Sequence, residues 1–150
     1  DLVLWNGACM VHEIFSREKI DKLKAENPGA KFIAHPECEE HILVDADYIG
    51  STSGMLKFTI EDSCETFIVA TESGILHQMQ KASPSKKFIP APPNNSCACN
   101  DCPHMRLNTL EKLYNCLKYD LPEITLPEDV IARAQKPIER MLDISAKLGL

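Results

Sequence analysis

Hydrophobic and polar positions along the chain alternate between short apolar runs and longer segments with a helical repeat. Apolar runs bounded by turn residues predict strands over Leu2–Trp5, Lys31–Ala34, Tyr48–Ile49, Thr66–Ala70, Phe88–Ile89 and Ile124–Leu126. Apolar residues at helical spacing predict helices after Ser16, over Glu39–Asp45, Thr52–Ile60 and Ile75–Ala82, from Asn108 to Leu117, and from Pro127 onward. Because strands alternate with helices, we predict an α/β fold with a mostly parallel sheet covered by helices on both faces.

Capping and breaking residues sharpen several of these boundaries. The Ser16 hydroxyl is a typical N-cap for the first long helix, and the turn residues of Asn27–Gly29 predict its end. Asn108 is predicted to cap a later helix. Pro137 lies inside the last helical pattern, so we predict a kink or a break near Lys136.

Composition and charge exclude several classes of protein. The 150 residues suit one domain or two small lobes, and 44% hydrophobic with 25% charged residues is enough to build a core. The net charge of −6 argues against a nucleic-acid binder, and no apolar run approaches the roughly 20 residues of a membrane span. The first residues lack the basic segment of a signal peptide and begin abruptly as a strand. We therefore expect a cytoplasmic protein, and the C-terminal part of a longer chain.

The cysteines indicate metal chemistry more than a disulfide scaffold. Seven are present, at positions 9, 38, 64, 97, 99, 102 and 116. An odd number in a chain of this length favours reduced thiols, which leaves metal ligation open. The dense run Cys97–Pro103 could hold zinc with His104 or a distant cysteine as a fourth ligand, could bind an iron–sulfur cluster, or could be a loop that merely contains thiols.

Two short motifs follow predicted strands, where α/β proteins hold ligands. His35 and Glu37 flank Pro36 just after a strand, and they are either an acid–base pair facing one cleft or part of a solvated turn. Ser51 and Thr52 stand at a predicted helix start, where hydroxyl and backbone N–H groups either bind an anion or simply cap the helix.

Taken together and in order, these motifs resemble the quinolinate synthase family. The resemblance rests on Trp5–His12, His35–Glu37, Gly50–Ser53, Ala70–Ile75 and Cys102–Met105. It implies three similar αβα lobes with parallel sheets around a pseudo-threefold axis, each giving one cysteine to a 4Fe–4S cluster. By this likeness Cys9 is the second ligand and Cys102 the third, and the first lies upstream of Asp1. Residues 1–92 would then form the lobe or lobes that carry Cys9 and both short motifs, and residues 93–150 the cluster-ligand loop, an α/β remainder and the C-terminal helix.

The same resemblance implies an activity. The family condenses iminoaspartate with dihydroxyacetone phosphate to quinolinate in NAD biosynthesis, with loss of phosphate and water and an open iron as Lewis acid. Glu37 is then the candidate for proton transfer, and His35 and Thr52 the candidates for binding anionic groups. Pro36 and Ser51 complete the substrate-binding set implied by the resemblance, and L-aspartate oxidase is an implied protein partner.

One feature departs from the family pattern, and one alternative stays open. Some members carry Cys-x-x-Cys-x-x-Cys at the last ligand, whereas Ser96 takes the first of those places here. The alternative function is a non-catalytic zinc module that uses Cys97, Cys99, Cys102 and His104.

Overall fold

The computed structural model describes residues 3, 7–94 and 100–149. Within these residues the chain forms two compact units, Asp1–Leu107 and Asn108–Leu150. The first unit contains, in chain order, α1 (Met10–Glu13), α2 (Arg17–Glu26), β1 (Lys31–Ala34), α3 (Glu40–Leu43), β2 (Tyr48–Ile49), α4 (Thr52–Glu61), β3 (Thr66–Ala70), α5 (Ile75–Ala82), β4 (Lys87–Pro90) and a 3₁₀ turn (Met105–Leu107). The second contains α6 (Leu110–Tyr119) and α7 (Glu128–Leu148).

The four strands form one sheet in the order β2-β1-β3-β4, and every neighbouring pair is parallel. β1 lies at the centre, with Ile33 opposite Tyr48 on one side and Val69 on the other. This arrangement confirms the predicted α/β class. Because all four strands point the same way, their carboxyl ends meet at one edge of the sheet.

The core is divided between the two faces of the sheet. On one face, Phe32 and Ala34 of β1 pack with neighbours from α2 and α3, which include Ile20 and Ile42. On the other face, Ile33 packs against α4 and α5, where Met55 and Met79 are fully buried. Alternate residues of a strand point to opposite faces, so a strand with both faces covered is apolar throughout. The first unit therefore has three layers, helices on either side of a sheet.

The ends of α2 follow the sequence signals. The Ser16 hydroxyl accepts a hydrogen bond from the Lys19 backbone N–H (3.4 Å), as predicted for an N-cap. The helix ends at Glu26, before the Asn27–Gly29 turn. Gly29 has φ +91°, a left-handed conformation that residues with a Cβ adopt at a cost, so glycine is needed for this turn.

Three sequence predictions for the second unit need correction. α6 begins one residue later than expected, because Thr109 rather than Asn108 is its N-cap and accepts from Lys112 N–H (3.2 Å). Ile124–Leu126 forms no strand, since this triplet between Pro122 and Pro127 pairs with no other described segment. α7 continues through Pro137, so the helix has no break near Lys136, while the kink expected there as the alternative stays a prediction.

Smaller differences concern the lobe with the sheet. α3 is shorter than the predicted Glu39–Asp45, and β4 extends one residue beyond Phe88–Ile89 at each end. The predicted strand Leu2–Trp5 lies largely outside the described residues. Among the described helices, none is long and apolar enough to cross a membrane.

Candidate active site

A cleft of about 470 Å³ opens at the carboxyl edge of the sheet. The side chains around it that carry chemistry are Cys9, His12, His35, Thr52, Thr71, Glu72 and Cys102. His35 directly follows β1, and Thr71 directly follows β3. The sheet thus brings together residues that are far apart in the sequence, and open parallel sheets bind ligands at this edge.

Cys9 and His12 come from one short helical turn. Cys9 is the N-cap residue of α1, and its carbonyl oxygen accepts hydrogen bonds from the backbone N–H groups of His12 (2.8 Å) and Glu13 (3.3 Å). This turn places the thiol and the imidazole three residues apart on one short segment of backbone. Ligand atoms of Cys9, His12 and Glu37 all lie within 4.8 Å of one another.

The His12 ring is buried between two hydrogen-bonding partners. Its Nδ1 lies 3.1 Å from a carboxylate oxygen of Glu37, and its Nε2 lies 3.1 Å from the Thr71 hydroxyl. The ring also stacks on that of His35, with centroids 4.4 Å apart and an angle of 8° between the planes. These contacts hold His12 in one orientation.

Burial sets the charge preference of this histidine. Desolvation, followed by the adjacent His35 ring, lowers the pKa of His12, and the hydrogen bond with Glu37 opposes this effect only in part. The neutral imidazole is therefore favoured near neutral pH. With an ionised Glu37, the consistent tautomer carries its proton on Nδ1 and leaves Nε2 free to accept from Thr71.

The His35–Glu37 segment turns back on itself after β1. The His35 N–H donates to the Ala70 carbonyl (3.0 Å), which continues the sheet pairing, and the Glu37 N–H donates to His35 Nδ1 (3.3 Å). In its neutral form, His35 consequently carries its proton on Nε2. The Glu37 side chain is 58% exposed, so its carboxylate is open to a ligand while it also holds His12.

The Gly50–Gly54 segment opens α4 at the same edge. The Ser51 hydroxyl accepts from the Gly54 N–H (3.2 Å), so Ser51 is the N-cap, while Thr52 is the first helical residue and lines the cleft. The Tyr48 side chain covers the two glycines. A Cβ added at Gly50 would lie 2.7 Å from a ring carbon of Tyr48, and one added at Gly54 would lie 2.8 Å from its hydroxyl oxygen. Glycine at both positions lets the helix start approach this ring.

Cys102 reaches the cleft through contacts with the end of β3. Its backbone N–H donates to the Glu72 carboxylate (3.4 Å), whose other oxygen accepts from Gly74 N–H (2.7 Å). A Cβ on Gly74 would lie 2.7 Å from that carboxylate oxygen, so a side chain at this position would displace the carboxylate from its hydrogen bond with the Gly74 N–H.

The structure places most of the predicted site residues together, though not all in one cleft. Cys9, Cys102, His35 and Thr52 line the cleft described above. Glu37 instead lines a neighbouring opening of about 430 Å³ with Gly7, Ala8 and Cys9, and it reaches the cleft through His12. Pro36 and Ser51 are exposed and line neither.

Sequence reasoning did not assign functional roles to His12, Thr71 or Glu72. The Cys9-x-x-His12 spacing could have indicated His12, since it places both side chains on one turn. Thr71 immediately follows a buried strand, which is a weak signal because strand ends are often polar. For the zinc alternative, Cys97 and Cys99 lie outside the described residues.

The residues of the cleft fit a thiolate-bound metal group. Two cysteines from distant parts of the chain, Cys9 and Cys102, line the same cavity, and neither lies in a disulfide. Thiolates are soft ligands that suit iron–sulfur clusters or zinc rather than magnesium or calcium. By contrast, burial raises the pKa of the Cys38 thiol to about 12, so that cysteine stays protonated.

A parallel αβα lobe with cysteine, histidine and carboxylate side chains around one cleft is typical of metal-using α/β enzymes. The family model described as "Quinolinate synthetase A protein" (NadA) matches residues 1–143. The chain belongs to this family.

Curated relatives agree with this family. The chain is 61% identical over 145 residues to quinolinate synthases of Microcystis aeruginosa and Gloeothece citriformis, and 57% identical over 146 residues to that of Chloroherpeton thalassium. Each alignment covers 97% of this chain but only 45–46% of the relative. The chain thus spans less than half the length of the curated relatives it matches.

Proposed function

We propose that this chain forms part of a quinolinate synthase of NAD biosynthesis. The enzyme would condense iminoaspartate with dihydroxyacetone phosphate to quinolinate, with loss of phosphate and water. Relatives named quinolinate synthase align with 97% of this chain, which supports the proposal. A cytoplasmic location and contact with L-aspartate oxidase belong to the same proposal.

The observation that carries it is the meeting of Cys9 and Cys102 at one cleft that also contains His12, His35 and Thr52. We assign Cys9 and Cys102 as two of three thiolate ligands of a 4Fe–4S cluster, and the third would come from outside these 150 residues. When bound, such a cluster supplies an open iron position that acts as a Lewis acid toward a substrate oxygen.

The hydrogen-bonded series Glu37–His12–Thr71 is suited to proton transfer. An ionised Glu37 orients neutral His12, and His12 Nε2 is then able to accept the Thr71 hydroxyl proton. Glu37 is also half-exposed, so its own carboxylate can exchange a proton with a ligand in the adjoining opening. These residues give the site a general base at neutral pH.

Anionic parts of the substrates would be held by His35 and the start of α4. His35 presents an Nε2–H donor when neutral and gains a charge when protonated. Thr52 adds a hydroxyl at the N-terminus of a ten-residue helix, where the helix dipole favours negative charge. Both residues line the cleft with the two cysteines, so a carboxylate or phosphate bound there would lie beside the proposed metal.

The full-length native protein, prepared without oxygen, tests the proposal. We expect bound iron and sulfide in equal amounts, the brown colour of a 4Fe–4S protein, and quinolinate formed from the two proposed substrates. A colourless protein with stoichiometric zinc would contradict the proposal and favour the zinc module. Bound iron and sulfide without quinolinate formation would contradict the proposed activity, whereas the proposed cluster would stand.

A further inference from the structure

The short segment Asn100–Cys102 makes four hydrogen bonds to residues that surround the cleft. The Asn100 side-chain NH₂ donates to the Val11 carbonyl, and the Asn100 carbonyl accepts from Ser73 N–H (3.1 Å). The Ser73 hydroxyl also bonds the Asp101 carboxylate. With the Cys102–Glu72 contact (3.4 Å), every residue of this segment has a partner in another part of the lobe.

The hydrogen bond from Asn100 to Val11 differs from the other three because it joins the two cysteine-bearing segments directly. Val11 is two positions from Cys9 in α1, and Asn100 is two positions from Cys102. Val11 and Asn100 are each 2% exposed, so the bond between them is shielded from water and resists exchange with solvent. This amide therefore contributes directly to the separation of the two cysteine-bearing segments.

The burial of Asn100 also favours a functional role over a purely structural one. Among the described residues, its Oδ1 atom is buried and has no hydrogen-bond partner. Burying an unsatisfied carbonyl oxygen is unfavourable, and such groups in native proteins tend to have a specific role. An apolar residue of similar size would avoid this cost but could not donate to Val11.

We propose that Asn100 is a positioning residue that holds Cys102 at the correct distance from Cys9 and so retains the metal group. This inference rests on the proposed function, since it presumes that both cysteines ligate one cluster. Asn100 acts through the backbone of the two ligand segments and does not itself bind iron. Residues that orient metal ligands in this way commonly change metal affinity by about 10–100-fold when they are replaced.

The test replaces Asn100 in the full-length native protein with residues of similar volume that cannot donate. Asn100→Leu removes the amide without adding charge, and Asn100→Asp keeps the shape but replaces the NH₂ group with oxygen. Iron transfer from the reconstituted protein to a chelator is followed at a temperature well below the unfolding midpoint of each metal-free variant. We expect iron loss to be about 10–100-fold faster in both variants.

Asn94→Ala is the matched control. The Asn94 side chain donates to the Phe15 carbonyl (3.3 Å) and so fastens a nearby segment to the same part of the chain. Among the described residues, its side chain makes no hydrogen bond to Val11 or to the Asn100–Cys102 segment. The Asn94 N–H, which alanine keeps, donates to the Ile14 carbonyl (2.7 Å), and Lys19 donates to the adjacent Pro93 carbonyl (2.8 Å), so the attachment is maintained. This variant should release iron at the wild-type rate.

The outcomes separate this inference from the proposed function. If wild-type protein binds the cluster and both Asn100 variants release iron at the wild-type rate, the inference is wrong and the proposed function stands. Equal loss in Asn94→Ala, or loss that follows only the unfolding midpoints, would show a general structural role and would also overturn it. If wild-type protein binds no cluster, the proposed function fails before the variants are compared.

Discussion

At the scale of single residues, the contact between Glu37 and His12 links the exposed opening to the buried part of the cleft. One carboxylate oxygen is 3.1 Å from His12 Nδ1, and the side chain is still 58% exposed. A carboxylate in this position can orient the imidazole and exchange protons with a ligand. Only proton exchange needs an ionisable group, and neither role requires Glu37 to bind metal.

Replacing Glu37 with glutamine tests the proton-exchange role. Glu37→Gln keeps the size of the side chain and a hydrogen bond to His12, but it cannot take up a proton. We expect turnover of the full-length protein to fall by about 10²–10⁴-fold, with the iron and sulfide content unchanged. Glu39→Gln is the control, because Glu39 is two residues away and, within the described residues, its carboxylate pairs only with exposed His41 (3.1 Å). Near-normal turnover in Glu37→Gln would contradict the proposed role.

A second residue-scale prediction concerns pH and the ion pair of Asp62 with Lys31. The hydrogen bond from Lys31, aided by the Cys64 N–H (2.8 Å), holds the pKa of Asp62 below its ordinary value of 3.8. A carboxyl whose pKa is lowered in the folded state stabilises that state above the unfolded pKa, and this effect is lost as pH falls through the folded pKa. Asp62→Asn should therefore lower stability at pH 7, and its difference from wild type should shrink below pH 3.8.

Urea unfolding of both proteins at several pH values measures that difference. Glu61→Gln provides the comparison, because Glu61 is next in sequence and, in the part of the chain that the structure describes, its carboxylate has only a long, exposed contact with Lys57 (3.8 Å). The effect of Glu61→Gln on the free energy of unfolding should be small at every pH. A constant difference between Asp62→Asn and wild type across the range would contradict the assignment.

At the scale of secondary-structure elements, the start of α4 depends on its fit against β2. The Tyr48 ring stacks on Phe58 of α4, with centroids 4.4 Å apart, so it cannot turn aside easily. A Cβ on Gly54 would lie 2.8 Å from the Tyr48 hydroxyl oxygen but 3.8 Å from the next ring atom. The hydroxyl group alone therefore makes alanine unfavourable at this position.

This geometry predicts a rescue. Gly54→Ala should destabilise the protein despite the higher helix propensity of alanine, which is worth about 1 kcal/mol. In a Tyr48→Phe background the obstructing oxygen is gone, so the same substitution should become neutral or stabilising by up to about 1 kcal/mol. A double-mutant cycle from thermal or urea unfolding measures the coupling. Additive effects would contradict the contact.

The comparison of sequence with structure is clearest at this scale. β1, β2, β3 and α5 have the bounds that their patterns predicted. For β1 and β3 the reason is that apolar runs with both faces buried leave little choice of register or length. The Ile124–Leu126 prediction was wrong, since an apolar triplet becomes a strand only where another strand can pair with it. Sequence also predicted that His35 and Thr52 stand at element ends, but the contact of His12 with Thr71 joins residues 59 positions apart and depends on the packing of the sheet.

At the scale of the whole molecule, the cysteines fall into different environments. Cys9 and Cys102 line the cleft, whereas Cys38 is buried with a pKa of about 12 and Cys116 is exposed on α6. Cys64 makes local contacts with the carbonyls of Gly29 (3.3 Å) and Thr66 (3.1 Å). Only the first pair shares a cavity among the described cysteines.

Serine substitutions should follow this division. Cys9→Ser and Cys102→Ser should each abolish the cluster in the full-length protein, because a hydroxyl is a poor ligand for iron–sulfide chemistry. Cys38→Ser, Cys64→Ser and Cys116→Ser should keep it. Iron and sulfide counts, together with the unfolding midpoint of each variant, measure the result. Similar loss in all five variants would indicate general instability and contradict the ligand assignment.

The parallel order β2-β1-β3-β4 also sets the sequence of events during folding. Paired residues in the sheet are 15 positions apart at the least, for Ile33 and Tyr48, and 36 at the most, for Lys31 and Phe67. Cys9 and Cys102 are 93 positions apart, and all four strands lie in the chain between them. Longer loops cost more entropy to close, so the sheet is expected to form before the two thiols meet. The metal would then bind to a lobe that is already folded, and the metal content would measure the fraction of lobes that have folded.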